Sequence, residues 1–548
     1  MMDPGWAIFA EMVGGAAYWV RRLGKKTVLG GLSPIDADWL GMMCDYGVMP
    51  YIDAVGIHGF PGAMEVGWQG WAPQVERVRE TLARHASDAE VWITETGFST
   101  WQHDQRGQLR AFVRALEAPV ERVYWYSAYD LDPNRPTIDG FHLDEREYHF
   151  GLRHADGRPK PLYHLWAGGG IEAVRHAVRL GDGRRAAPKG RRHVLITGGA
   201  GFIGTNLAHR LLSEGRSVLI YDNLSRVGVE RNLRWLREAH AGGEAPSVGI
   251  EIGDVRDRFA LRRALADAEA VYHLAAQVAV TRSLDNPIHD CDVNVRGTLN
   301  LLEEMRLLRE PPPLIFTSTN KVYGGLADLA LSRNGTRYEP ADPALGERGI
   351  AETRPLDFRS PYGCSKGAAD QYVIDYARTF GLPAAVFRMS CIYGPHQFGT
   401  EHQGWIAHFA LRVLDGRPIT IYGDGLQVRD ALYVDDLVEA LLRAGGSIAG
   451  LTGQAFNVGG GPANAVSLME LLALLERLHG QLPEVTYADW RAGDQRYYIS
   501  DTSRLRGVVG WEPRVGVQDG VTRLYHWLAR AKGAPAPSET GREEEGHG

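Results

Sequence analysis

Apolar and polar positions alternate between two periods along the chain. Short apolar runs occur at Thr27–Leu32, Ile52–His58, Val91–Glu95 and Val123–Ser127. Between them, Pro73–His85 and Gln105–Leu116 carry apolar residues at three- and four-residue spacing, the mark of one-sided helices. The same alternation resumes further on. His193–Thr197, Ser217–Tyr221, Val248–Ile252, Ala270–Leu274 and Leu314–Thr319 read as buried strands, with helices over Thr205–Ser213 and after Tyr362. Strands that alternate with helices predict parallel sheets with helical crossovers, hence an α/β fold.

The two series are separated by a change of composition. Residues 1–166 are rich in Trp and Tyr and read as one domain. Residues 167–192 hold Gly168-Gly169-Gly170 and a Gly-, Pro- and Arg-rich run, and are expected to be a linker. Residues 193–532 form the second domain, and the Pro-, Gly- and Glu-rich stretch 533–548 is expected to be a disordered tail. A length of 548 residues requires more than one domain, and 44% apolar residues suffice for real cores. A net charge of -7 lacks the basic excess of a nucleic-acid binder. Cys44, Cys291, Cys364 and Cys391 form no C-x-x-C pair, so neither a disulfide framework nor a metal site is indicated. No run is long enough to span a membrane, and the first residues lack a basic leader, so a cytoplasmic protein is expected.

The second domain opens with chemistry. After the first strand comes Gly198-Gly-Ala-Gly201-Phe202-Ile203-Gly204, leading into a helix. Gly198 permits the tight turn, Gly201 lets a pyrophosphate approach the backbone, and Gly204 lets helix and strand pack closely. The second strand ends at Asp222-Asn223, and an acid there binds ribose hydroxyls, which favours NAD. Arg226 nearby is able to meet a 2′-phosphate, so the preference is not absolute. Further strand ends carry Asp254-Val255, placed for the adenine amine, and Leu274-Ala275-Ala276-Gln277, small residues beside which a cofactor lies. Tyr362 and Lys366 share a helix face at i and i+4. The ammonium is expected to depress the pKa of the phenol and make it an acid/base, with Thr319 holding the same substrate oxygen.

These segments resemble the extended short-chain dehydrogenases/reductases, in the sugar-nucleotide epimerase and dehydratase group, over nearly all of 193–532. Ala276–Pro287, Ser318–Gly324, Ser360–Gln371, Gln403–Trp405 and Gly423–Asp430 are most similar to the branch that inverts C2 of CDP-deoxyhexoses, the CDP-paratose (CDP-tyvelose) 2-epimerases. The resemblance implies a Rossmann-like doubly wound sheet with a smaller C-terminal substrate domain. It implies tightly bound NAD, a nucleotide-sugar substrate, and a homodimer or higher homo-oligomer. The catalytic residues would be Thr319, Tyr362 and Lys366, with Asn294 along the cofactor and Asn320, Gln403, Arg429 and Arg496 toward the substrate. UDP-sugar 4-epimerisation is the alternative within the same chemistry. Dehydratases usually carry Asp-Glu where Asn320-Lys321 stands, which argues against dehydration.

The first domain resembles part of a TIM-barrel glycoside hydrolase. Val91–Phe98 is similar to the nucleophile strand, with Glu95 at its C-terminal end as a possible relic nucleophile, flanked by Ile57–Phe60 and Trp125–Tyr129. His58 and His103 read equally as site relics or loop residues. Met2-Asp3-Pro4 falls where the second carboxylate's motif would stand, so the domain is expected to be a partial (β/α) barrel, either a remnant or one whose start lies upstream. A carbohydrate hydrolase or glycan-binding protein acting through this domain is the reading from another class.

Overall fold

A computed structural model describes residues 5–61, 68–135, 144–182, 192–241, 246–401, 403–491 and 493–532. The motif position Met2-Asp3-Pro4 and the expected tail 533–548 lie outside the described residues. The chain divides into two compact units between Gly183 and Arg184.

In the first unit, Val28–Leu32, Ala54–Gly59, Glu90–Thr96 and Arg122–Trp125 form one sheet in that order. Every neighbouring pair is parallel. Helices Ala37–Asp45, Trp71–Arg84 and Gln105–Leu116 make the crossovers. Leu29, Leu40, Met43, Val55, Ile57, Val75, Val78, Val91 and Ile93 are buried together, as the two periodicities require. What is observed is an open four-stranded parallel sheet.

One boundary differs from expectation. Residues 167–182, placed in a linker on composition, belong to the helix Pro161–Asp182. Its backbone breaks at Gly169 and Gly170, where φ is -156° and 61°. The helix resumes because Leu162, Leu165, Val174, Ala177 and Leu180 are almost fully buried. Burial of an apolar stripe outweighs the local cost of the glycines. Residues 183–191 lie outside the described residues.

The second unit is built on a seven-stranded sheet. Its order is Ala455–Val458, Ala384–Met389, Leu314–Thr319, Ala268–His273, His193–Thr197, Val218–Asp222, Val248–Ile252. All pairs are parallel. This is the Rossmann-like, doubly wound arrangement expected, and the strand order reverses between His193–Thr197 and Ala268–His273. A smaller C-terminal part packs helices Trp405–Asp415, Leu468–His479 and Val517–Ala531 around their own apolar cluster. There Val428–Tyr433 pairs with Cys391–Tyr393, Ala465–Ser467 and Tyr497–Tyr498.

The helix Ser360–Phe380 carries the Tyr362/Lys366 pair and is locked to the sheet. Ala369 and Val373 are fully buried, whereas Tyr372 and Phe380 stay exposed. Asp370 accepts Nε and Nη2 of Arg388, on strand Ala384–Met389, at 2.9 and 3.0 Å. Both side chains are out of water, at 0% and 5% exposure. Arg388 also donates to the Tyr323 hydroxyl at 3.1 Å, which donates to Asn457 at 2.7 Å. Removing one partner of such a pair strands the other charge. Asp370→Ala should therefore cost about 3–5 kcal/mol of stability, read from the denaturation midpoint; an unchanged midpoint would show that the pair does not anchor the helix.

Candidate active site

The cofactor cleft forms at the reversal of strand order. Gly198 has φ +69°, and a Cβ there would sit 2.7 Å from the Ala275 nitrogen. A Cβ on Gly204 would meet Gly199 Cα at 2.5 Å, so the helix that starts at Phe202 can touch the turn only as glycine. The helix opens toward the cleft with Gly201 at its N-cap, followed by Phe202 and Ile203. Asp222 accepts the N–H groups of Ala200 and Leu224 at 3.1 and 2.8 Å. Burial raises its pKa to about 6, against the pull of those two N–H groups. Arg226 is exposed.

Asp254 is used differently from expectation. Arg256 forks it with Nε and Nη2 at 2.8 and 2.9 Å and adds its backbone N–H at 2.9 Å. Asn223 donates at 2.7 Å. These bonds fill the four acceptor positions of a carboxylate, so in this arrangement Asp254 braces Asn223 and Arg256 instead of offering a lone pair to an adenine amine. Val255 is buried beneath, against Gly297.

Leu274–Gln277 leaves the adjoining strand end, and the Ala275 N–H donates to Thr197 Oγ1 at 3.3 Å. Ala276 follows in the same turn, partly exposed. Asn294 is buried, on a π-helical turn Asp292–Arg296. Its Oδ1 accepts the Gln277 N–H at 2.9 Å, and its Nδ2 donates to Ser365 Oγ at 3.0 Å and Gln277 O at 3.1 Å. Asp290, one helical turn earlier, accepts Gln277 Nε2 at 2.8 Å and the Ser365 hydroxyl. Asn294 thus clamps the loop beside the cleft to the Tyr362 helix. Asp290 and Ser283, whose hydroxyl accepts the Tyr362 N–H at 3.1 Å, escaped the sequence reading. Only the i, i+4 spacing of Asp290 to Asn294 hinted at them.

Tyr362 and Thr319 meet through their hydroxyls, with Lys366 on the same helix as Tyr362, but the electrostatics correct the expectation. Burial pushes the Tyr362 phenol up to about 12; the Thr319 hydroxyl lowers it and Asp290 raises it. Lys366 does not depress it. Its Nζ donates to Thr317 O at 2.7 Å and stands 4.2 Å from the Phe316 ring centre. Burial lowers the ammonium itself to about 7, although Asp370 and Asp290 favour its charge. Spacing puts two groups on one face, but desolvation decides their charge.

Toward the C-terminal part, Thr319 Oγ1 accepts the Lys321 N–H at 3.2 Å, and Asn320 is buried beside it. Arg429 is buried and donates to Asp494 at 2.8 Å. Gln403 sits in the turn before helix Trp405–Asp415, whose Trp405 donates to Cys391 at 3.4 Å. Arg496 is exposed, with its guanidinium 5.4 Å from the Trp490 ring. Lys321, Asp494 and Gln495, which sequence reasoning did not select, meet here from segments 173 residues apart, taking Lys321 to Asp494. In the first unit, half-exposed Glu95 lies 3.6 Å from His58. His103 adjoins the N-cap Asp104 of Gln105–Leu116.

Residues 194–459 match the NAD dependent epimerase/dehydratase family. Over 343 residues the chain is 42% identical to CDP-paratose 2-epimerase of Salmonella typhi, a match covering 61% of this chain and 99% of that protein.

The chain belongs to the NAD dependent epimerase/dehydratase family.

It is also 35% identical to UDP-glucose 4-epimerase of Mycolicibacterium smegmatis, over 61% of this chain and 97% of that one. Among solved structures it resembles the Thermus thermophilus UDP-glucose 4-epimerase complex with NAD, at 34% identity and a TM-score of 0.51, over 61% and 99% of the two chains. NAD is the cofactor of the family, and the glycine cradle, where no Cβ is tolerated at Gly198 or Gly204, fits its pyrophosphate. Among the described residues no His, Cys, Asp and Glu cluster suits a metal, and no helix is long and apolar enough to cross a membrane.

His273, under the cleft, is fully buried with Nδ1 2.6 Å from Thr197 Oγ1 and Nε2 3.1 Å from Thr298 Oγ1. Burial, with Lys366 nearby, lowers its pKa from 6.5 to about 3. The unfolded chain therefore takes up a proton that the folded one refuses, and stability falls as pH drops below 6.5. Unfolding free energy should decline from pH 6.5 toward 4, by up to about 1.4 kcal/mol per pH unit from this group. His273→Gln should flatten the slope in that window; equal slopes would refute the assignment.

Proposed function

We propose that this protein is an NAD-dependent nucleotide-sugar epimerase that inverts C2 of a CDP-deoxyhexose. The observation that carries the reading is the hydrogen bond between the Thr319 hydroxyl and the Tyr362 phenol, with Lys366 one helical turn on and anchored to Thr317 O of the same strand. The 42% identity to a 2-epimerase over nearly that protein's whole length supports the carbon and the base. Supporting it further, Asn320-Lys321 follows the catalytic threonine in place of the Asp-Glu expected of a dehydratase.

The Gly198–Gly204 turn and Asp222 would hold NAD, which when bound would supply the hydride acceptor and donor of the cycle. Tyr362 Oη takes the proton of the sugar hydroxyl and later gives one back, so no net proton or electron is exchanged. Thr319 Oγ1, which has a single proton, would transfer its hydrogen bond from the phenol to the same sugar oxygen. Lys366, whose ammonium is anchored to Thr317 O, would hold the nicotinamide ribose. A phenol held near 12 is a poor base at neutrality, so cationic charge in the cleft has to lower it. Asp222 binds the adenosine ribose, and Arg429 meets the diphosphate with a planar fork. The 2-keto sugar must turn its other face before hydride returns.

The same reading includes a homo-oligomer. Tyr372 and Phe380 on one helix, with Leu307 and Ile288 from neighbouring segments, leave apolar surface for a second copy.

Purified protein should release close to one NAD per chain on acid treatment. Tyr362→Phe should keep that NAD while turnover falls by about 10²–10⁴-fold. NMR of CDP- and UDP-sugars incubated with the enzyme should show inversion at C2 of the CDP substrate. Inversion at C4 of a UDP-sugar alone would overturn the assignment of base and carbon.

A further inference from the structure

Beside the Thr319/Tyr362 pair stands a cation that the mechanism above does not use. Lys321 lies two residues beyond Thr319, in the turn Asn320–Tyr323. Its backbone N–H is tied to Thr319 Oγ1 at 3.2 Å, so its position is set by the catalytic strand end. Its side chain reaches from there to residues 494 and 495 of the C-terminal part. Nζ is 3.4 Å from Gln495 Oε1 and 3.8 Å from Asp494 Oδ1. Gln495 is fully buried, and its amide nitrogen is already committed to Gly324 O at 2.7 Å, so its oxygen faces the ammonium. Asp494 binds Arg429 at 2.8 Å. One carboxylate therefore gathers two cations, one fixed to the catalytic strand and one to Val428–Tyr433.

These contacts leave Lys321 underused. An ammonium has three donors, and both of its contacts here are long. Two cations sharing one anion leave a net positive site, and about a fifth of the Lys321 side chain remains open to solvent. Burial and the neighbouring Arg429 lower its pKa to about 8, and an incoming dianion would pull it back up. The chemistry of the site is that of a phosphate seat between a catalytic strand and a diphosphate arginine.

The geometry of the substrate gives that seat a meaning. In a nucleoside diphosphate sugar the diphosphate hangs from C1. A hydroxyl on C2 is on the neighbouring carbon, whereas one on C4 lies across the ring. A phosphate held close to the catalytic threonine therefore presents C2 to the phenol and keeps C4 away.

We propose that Lys321 is a specificity-determining substrate contact: its ammonium binds the sugar-proximal phosphate and so brings the carbon next to the anomeric centre to Tyr362 and Thr319. This rests on the nucleotide-sugar reading of the same site. Asp494 acts as a positioning residue, holding Lys321 and Arg429 together before substrate arrives.

The test is a ratio of affinities measured on NAD-loaded full-length enzyme by calorimetry. CDP carries the sugar-proximal phosphate, and CMP lacks it. Wild type should bind CDP at least about tenfold tighter than CMP. In Lys321→Met the ratio should fall toward one, while CMP affinity holds within a few-fold. Lys321→Arg should restore most of the ratio. KM for the CDP-sugar should rise with the loss of CDP affinity. An unchanged ratio in Lys321→Met, including equal losses of CDP and CMP, would overturn the proposal. If Lys321→Met does not fold, Lys321→Gln is measured in the same way. UDP and UMP run in parallel keep the two readings apart. If wild type prefers UDP, the assignment of base fails, and the diphosphate-to-monophosphate ratio for uridine still decides Lys321.

Discussion

The constraint on which the second unit depends is the near-contact of two backbone turns at the reversal of strand order. Gly198 and Ala275 leave adjacent parallel strands and come so close that no side chain fits between them. Adjacent strands whose crossovers lie on opposite faces open a crevice at their C-terminal ends. The absence of a Cβ at the turn makes this crevice deep enough for a pyrophosphate at the helix N-terminus. Asp222, Thr319 and the Leu274–Gln277 loop all take their positions from this opening.

Around the crevice, several polar side chains stand where water cannot reach them and are matched with one another. Asp370 with Arg388 ties the Tyr362 helix to the sheet. Asp290, Ser365, Asn294 and Gln277 tie its first turn to the loop beside the cleft. Such networks are costly when half satisfied, so they hold one arrangement. Their consequence for chemistry is desolvation. It drives the Tyr362 phenol up and the Lys366 ammonium down, which leaves both sensitive to a charge entering the cleft. The two groups are poised by burial more than by each other.

The substrate side is organised by charge. Asp494 sits between Lys321 and Arg429, where burial works against its carboxylate and the two cations outweigh it, holding its pKa below the ordinary range. In the proposed reading this group is preorganised, its positive charges oriented before a ligand arrives. It also joins the two parts of the second unit, since Lys321 follows the sheet strand and Arg429 belongs to the C-terminal part.

Local pattern determined much of this. Apolar runs bounded by glycine and acids are strands because a strand buried on both faces needs continuous apolar residues. Gly198 and Gly204 announced the tight turn because a Cβ at either would collide with backbone. The i, i+4 spacing of Tyr362 and Lys366 placed them on one face, since helix geometry is local. What the tertiary structure decided are quantities that depend on distant segments. The helix through residues 167–182 forms because its apolar stripe is buried. Asp254 serves Arg256 and Asn223, and Tyr362 is raised instead of lowered, because charge and lone pairs answer to surroundings that spacing does not specify. The meeting of Lys321 with Asp494 required two segments far apart in the chain to fold against each other. No periodicity encodes that contact, because pair energies at such separations exist only once the core has formed.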